Sequence, residues 1–337
     1  MEKDHQVADG VKSRIVEFRS FEHSSRPVYP RNMLIELTNA CNNKCIFCVS
    51  PKMTRKISRL DEGTLFRILE EAYALGTREV GFYSTGEPFL SKKLHEYVAK
   101  AKSTGYEYIY ITSNGILATP DRSIPAIDAG LNSIKFSINA GSRETYKLVH
   151  GTDNFDKIID NLRVISNYRK EHNLPLKLYA SYVVTRQSKD ECGAFKELVG
   201  SLVDEILFVN VQNQGGMMFE INDHMSVGTD EFTAIEPPCS MVFNRFHITS
   251  EGYLTSCCID YQNYLAMADL NVTSLKDAWH NALFTELREK HLTNKLEGTL
   301  CYNCLNNKNT KIKPLVPQFA TDFDPQSFVK SQFPLSK

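Results

Sequence analysis

Residues 32–48 read NMLIELTNACNNKCIFC. The first seven, 32–38, are short and carry Met33, Leu34, Ile35 and Leu37, as a buried strand would. Behind them Cys41, Cys45 and Cys48 fall within eight residues of loop. Three thiols crowded behind a strand can converge on one inorganic cluster, and iron–sulfur clusters are held by such cysteines. Three ligands on a four-iron cluster leave one iron open to a small molecule, much as catalytic zinc sites keep an open position. Zinc itself favours four ligands, and this triplet serves it poorly.

From this stretch outward the pattern repeats. Strand-like segments at 32–38, 78–84, 106–112, 132–138, 176–184 and 204–211 are rich in Val, Ile, Tyr or Phe. Helical segments at 61–75, 91–104, 121–130, 142–170 (broken near Gly151) and 188–200 lie between them. In the first helix Leu65, Ile68, Leu69 and Ala72 share one face. Such βα alternation predicts an α/β fold with a parallel sheet and helices outside. Six units leave a partial barrel or an open doubly wound sheet, and both place ligands at the carboxyl ends of the strands.

The chain divides accordingly into an arm (1–31), the βα unit (32–211), a connector (212–238), a small cysteine-bearing unit (239–304) and a tail (305–337). The connector's Gln212, Asn213, Gln214, Glu220 and Asp223 are polar residues expected above the last strand, where they would meet hydroxyl groups. In the small unit a hairpin with its turn at 250–252 precedes a helix near 274–290, and Trp279 is expected in the core. Cys239, then Gly252, Cys257, and much later Cys301 and Cys304, can close four thiolates on one centre. Spacing alone admits zinc or a [4Fe-4S] cluster there. Cys192 and Cys258 are left over, and His247 and His280 are expected to be packing or surface residues.

Lys and Arg total 39 against 40 for Asp and Glu, a net charge of −1, which argues against broad nucleic-acid binding. No stretch approaches the roughly 20 apolar residues of a membrane span, and the start lacks a signal-peptide core. A cytoplasmic location is expected, and there clustered cysteines point to metal or catalysis rather than disulfides.

The triplet, C-x3-C-x2-C with Phe47 before its last cysteine, resembles the signature of the radical S-adenosylmethionine (radical SAM) superfamily, and the resemblance extends over 32–211. It implies a partial (β/α)6 barrel. It implies that Cys41, Cys45 and Cys48 hold a [4Fe-4S] cluster whose open iron is chelated by SAM, with Phe47 shielding the cluster and flanking the adenine. Ser84-Thr85-Gly86-Glu87-Pro88 resembles the family's Gly-Gly-Glu-Pro segment for the SAM amino group, with Thr85 where the first Gly is usual. Ser113 and Asn114 after the third strand, and Ser137 and Asn139 after the fourth, resemble positions lining the SAM site. Arg186, after the fifth, would meet the SAM carboxylate.

C-x12-G-x4-C followed by C-x2-C resembles the SPASM extension of such enzymes, in the truncated Twitch form with one auxiliary [4Fe-4S] cluster. The resemblance implies Cys239, Cys257, Cys301 and Cys304 as its ligands. The expected function is hydrogen abstraction from a small-molecule substrate (a sugar, cyclitol or nucleotide-linked metabolite), with oxidation through the auxiliary cluster. An external one-electron reductant such as flavodoxin or ferredoxin would start the reaction. Epimerisation, rearrangement, coupling or peptide side-chain modification are the alternatives, and Cys192 and Cys258 are the candidate hydrogen donors. RNA modification and a non-enzymatic zinc module fit the charge and the triplet less well.

Overall fold

The computed structural model describes residues 23–218, 225–227 and 237–322. The first six strands are β1 (Asn32–Ile35), β2 (Glu79–Gly81), β3 (Tyr108–Ser113), β4 (Ser133–Ser137), β5 (Lys177–Val184) and β6 (Glu205–Asn210). They pair in parallel in chain order. The helices between them are α1 (Glu62–Ala74), α2 (Leu94–Thr104), α3 (Pro120–Asp128), α4 (Arg143–His150), α5 (Phe155–Glu171) and α6 (Cys192–Val199). Asp61 caps α1 by accepting from the Thr64 N–H, and Leu65, Ile68, Leu69 and Ala72 form its buried face. Gly151 adopts φ 66° and ends α4, so the long helical segment does break there.

The carboxyl-terminal part joins the same sheet. After α7 (Met241–Asn244), strand β7 (Arg245–Ile248) lies parallel to β1, and β8 (Tyr253–Thr255) and β9 (Ala266–Asp269) continue antiparallel. The order among the described residues is β6-β5-β4-β3-β2-β1-β7-β8-β9, an open sheet and not a closed barrel. Sequence periodicity anticipated the hairpin but neither its pairing with β1 nor β9. The helix expected at 274–290 is two, α8 (Leu275–Trp279) and α9 (Ala282–Leu292): His280 ends the first, and Asn281 caps the second by accepting from the Phe284 N–H. Helix α10 (Leu300–Asn306), capped by Thr299, carries Cys301 and Cys304.

Strand alternation sorts the side chains. Met33, Ile35, Phe82, Ile109, Ile111, Ile134 and Phe136 enter the apolar core. Asn32, Leu34, Glu79, Tyr110, Lys135, Ser137, Arg245 and His247 face the opposite way, into the concave interior, where the Tyr110 hydroxyl donates to Asn32 Oδ1 at 2.9 Å. Trp279 is fully buried as expected, edge-on to Phe246 and Phe284. The described parts of arm and tail, 23–31 and 305–322, pack on the rest of the chain: Trp279 donates to Val28 O at 3.3 Å, and Phe319 stacks on Tyr253 at 4.2 Å.

Candidate functional site

The cysteine loop leaves β1 at the carboxyl end of the sheet and is pinned on both sides. Thr38 donates to Ser58 O at 2.7 Å and Asn39 to Lys56 O at 2.8 Å, closing its base. Lys44 and Ile46 donate their N–H groups to His150 O and Val149 O, at 3.0 and 2.9 Å, seating its tip on the end of α4. This places Cys41, Cys45 and Cys48 together. Burial pushes all three thiols up, Cys41 to about 12, and the charges of their neighbours add to this for Cys41 and Cys45. Such a set of mutually repelling soft donors fits a cationic iron cluster, which deprotonates a coordinating thiol outright. No three His, Cys, Asp or Glu side chains among the described residues meet around a single ion. A cluster spreads its thiolates over separate irons, so it does not need such a meeting point.

Next to the loop runs Thr85-Gly86-Glu87-Pro88. Gly86 packs so closely that a Cβ there would stand 2.1 Å from Thr38 O and 2.7 Å from Ala40 O. Glu87 donates its N–H to Ala40 O at 2.8 Å. Its carboxylate accepts from Phe89 N at 3.0 Å, Ser113 Oγ at 2.8 Å and Asn114 N at 2.8 Å. Burial pushes this carboxyl up to about 7 against those three donors. Asn114 Nδ2 reaches Asn42 Oδ1 at 2.7 Å, beside Cys41 Sγ at 3.9 Å. Asn139 takes φ 56°, a conformation Asn tolerates, and accepts from Val183 N at 2.8 Å. Ser137 meets Ser181 Oγ at 3.4 Å. Phe47, half-buried, stands edge-on to His150 with ring centroids 6.2 Å apart.

Arg186 and Cys192 are not drawn in. Arg186 is exposed and donates to Ser226 O at 2.7 Å. Cys192 opens α6, and burial raises its thiol pKa, with Lys196 opposing. Asn213 reaches the Cys304 carbonyl and Gln214 the Tyr261 hydroxyl, whereas Glu220 and Asp223 lie outside the described residues.

The second cysteine group assembles from three segments. Burial raises Cys239, Cys301 and Cys304, the last to about 12, and the Cys239 charge adds to the other two. The Cys257 thiol is raised by its hydrogen bond with Cys258 and by burial. The Cys258 thiol is lowered by its hydrogen bond with the Cys257 thiol, with the charges of Arg245 and Lys135 contributing. The group meets the segment at β2: Ser84 Oγ donates to Cys258 O at 2.9 Å.

Four features escaped the sequence reading. Buried Glu36 pairs with Arg55 at 2.5 Å, accepts from Thr85 Oγ1, and takes Ser250 N at 2.9 Å. Arg55 also binds Glu251 at 2.5 Å. Thus Thr85, in place of the family's Gly, ties the segment to β1 and to the β7–β8 turn. Buried His150 has Nδ1 3.1 Å from Cys45 Sγ and Nε2 2.8 Å from Ile138 O. Burial lowers its pKa to about 4, so it is neutral and donates from Nε2. Tyr261 places its hydroxyl 3.5 Å from Cys48 Sγ. Lys135 and Arg245 are the fourth. None has a local signal, since each partner lies far away in the chain.

The chain matches the radical SAM superfamily over residues 35–197 and the SPASM iron-sulfur cluster-binding domain over 239–305. It is 31% identical over 194 residues to a probable GTP 3',8-cyclase of Saccharolobus solfataricus, covering 57% of this chain and 61% of that protein. A probable GTP 3',8-cyclase of Metallosphaera sedula is 28% identical over 188 residues, 55% of this chain and 56% of that one. The chain therefore matches about three fifths of the length of these curated relatives. Among solved structures, Streptococcus suis SuiB bound to precursor peptide SuiA has TM-score 0.66 at 14% identity, covering 93% of this chain and 83% of that one. BtrN in complex with AdoMet and 2-DOIA gives 0.55 at 18%, covering 85% and 96%. These likenesses support the partial-barrel fold. No helix among the described residues is long and apolar enough to cross a membrane. The chain belongs to the radical SAM superfamily, SPASM subgroup, whose two matched domains imply a SAM-binding [4Fe-4S] cluster and an auxiliary cluster.

Proposed function

We propose that this enzyme oxidises a small, hydroxyl-bearing metabolite that carries an anionic group such as a phosphate. Cys41, Cys45 and Cys48 hold the SAM-binding cluster, and Cys239, Cys257, Cys301 and Cys304 the auxiliary one. When bound, SAM and the two clusters supply a hydrogen-abstracting radical and a place for the remaining electron. Phe47, Thr85, Gly86, Glu87, Pro88, Ser113, Asn114, Ser137 and Asn139 line the SAM side, and Gly86 lets the backbone come close.

The carrying observation is the cationic interior. Lys135 turns away from the core residues Ile134 and Phe136, and its charge interacts with those of Arg245 and Cys258. Burial pushes the Lys135 ammonium down, Arg245 adds to this, and Cys258 opposes it. The Glu79 carboxylate already acts on Arg245, and an anion placed beside Lys135 would offset the repulsion between the two cations. The likeness to probable GTP 3',8-cyclases gives a second reading, because the same cations suit a nucleotide phosphate.

The test incubates the anaerobically reconstituted protein with SAM, reductant and a panel: glucose 6-phosphate, inositol phosphate, GTP, their phosphate-free counterparts, and a short peptide. The expected result is a product lighter by two hydrogens from a phosphorylated alcohol, with Lys135→Met losing at least tenfold in kcat/KM while substrate-free SAM cleavage persists. A GTP product of unchanged mass would favour cyclisation. Turnover of neutral sugars or the peptide, indifferent to Lys135, would overturn the anionic assignment.

A further inference from the structure

Tyr261 connects the two cysteine groups. Its ring is buried, and its hydroxyl stands 3.5 Å from Cys48 Sγ and 2.8 Å from Gln214 Oε1. Gln214 belongs to a turn that cannot shift easily. Gln214, Gly215 and Gly216 take φ of 50°, 71° and 81°. A Cβ on Gly216 would stand 2.7 Å from the Cys304 backbone nitrogen, and one on Gly215 2.9 Å from Ile259 O. Asn213 donates to Cys304 O at 2.8 Å, and the Gly215 N–H bonds the Cys304 thiol. A hydrogen-bonded path therefore runs Cys48–Tyr261–Gln214–Gly215–Cys304.

A phenol has one proton to give. With Cys48 as a thiol, the Cys48 S–H donates to the phenol oxygen and the phenol donates to Gln214 Oε1. A ligating Cys48 has no proton. The Gln214 amide, turned over, then presents N–H to the phenol oxygen, and the phenol O–H turns to the sulfur; each group keeps one partner.

Resting on the reading of Cys48 as a cluster ligand, we infer that Tyr261 is a positioning residue that donates a hydrogen bond to the Cys48 sulfur and raises the reduction potential of the SAM-binding cluster. A donor to a cluster sulfur stabilises the reduced, more negative state. The carboxyl-terminal unit thereby sets how easily the radical-forming cluster accepts its electron.

The experiment is an EPR-monitored redox titration of the full reconstituted chain, following the signal that changes on adding SAM, with iron content measured in parallel. Tyr261→Phe should keep the iron of the wild type and shift that midpoint to more negative potential, leaving the SAM-insensitive signal in place. Incorporating 3-fluorotyrosine at the same position, a stronger donor of nearly the same shape, should shift it the other way. An unmoved midpoint in either protein at full iron overturns the proposal. Should Tyr261→Phe lose iron, the fluorinated protein alone decides. A wild type without a SAM-responsive signal, its iron unchanged by Cys48→Ala, would instead overturn the ligand assignment beneath it.

Discussion

Arg55→Met is the sharpest probe of how the site is held. Arg55 and Glu36 are both 2% exposed at their side chains, so the substitution strands a buried carboxylate. Removing one partner of such a pair costs about 3–5 kcal/mol. Protonation sets a ceiling on the Glu36 share. In the wild type, burial raises the carboxyl, but Arg55, Thr85 and Ser250 outweigh it and hold it below its ordinary value of 4.5. That stabilisation is complete above the ordinary value and is lost only as pH falls through the lower folded value. In the variant burial dominates, the carboxyl rises, and stability is lost as pH rises. Folding with Glu36 protonated then costs about 1.36 kcal/mol per pH unit above its ordinary value, or about 4 kcal/mol at pH 7.5 and about 1.4 at pH 5.5. Urea unfolding of the reduced chain under anaerobic conditions, followed by circular dichroism, should show the gap to wild type narrowing, by up to about 2.7 kcal/mol, between those pH values. Glu36→Gln combined with Arg55→Met should remove the narrowing. A gap that is independent of pH, or below about 1 kcal/mol, would refute this account of the network.

Other outcomes follow from the same contacts. Gly86→Ala places a Cβ 2.1 Å from Thr38 O, so the segment must move; we expect a loss of about 1–3 kcal/mol and at least tenfold slower SAM cleavage, read from 5′-deoxyadenosine release. Thr85→Val leaves the Glu36 carboxylate without its hydroxyl donor and should cost about 1.5–3 kcal/mol in urea unfolding, whereas Thr85→Ser should cost much less. Asn139→Ala must hold φ 56° without the side-chain bond to Val183 N; Asn139→Gly, which relieves only the backbone strain, should recover part of the loss in the same assay.

Local features of this protein were legible and long-range ones were not. The α1 face and the break at Gly151 are written in a few adjacent residues. The cysteine spacings and the Thr85–Pro88 segment are equally local, and so pointed to the family and its cofactors. The β7–β1 pairing has no such signal, since backbone hydrogen bonds carry no sequence information and β7 is a short buried strand. His150 lies 105 residues from Cys45 and Tyr261 lies 213 from Cys48, so neither could be placed beside a cysteine before folding. Arg55 reads locally as one more charged loop residue; only burial beside Glu36 makes it a keystone. Arg186 shows the reverse case, a plausible side chain after a strand that the fold turns to Ser226 instead.

The most direct test of the account is anaerobic iron and sulfide analysis with a SAM-cleavage assay, on the wild type and on Cys41→Ala, Cys45→Ala and Cys48→Ala combined. Two [4Fe-4S] clusters predict about eight irons falling to about four, with 5′-deoxyadenosine formation abolished. Iron unchanged by the triple substitution, or SAM cleavage surviving it, would contradict the account.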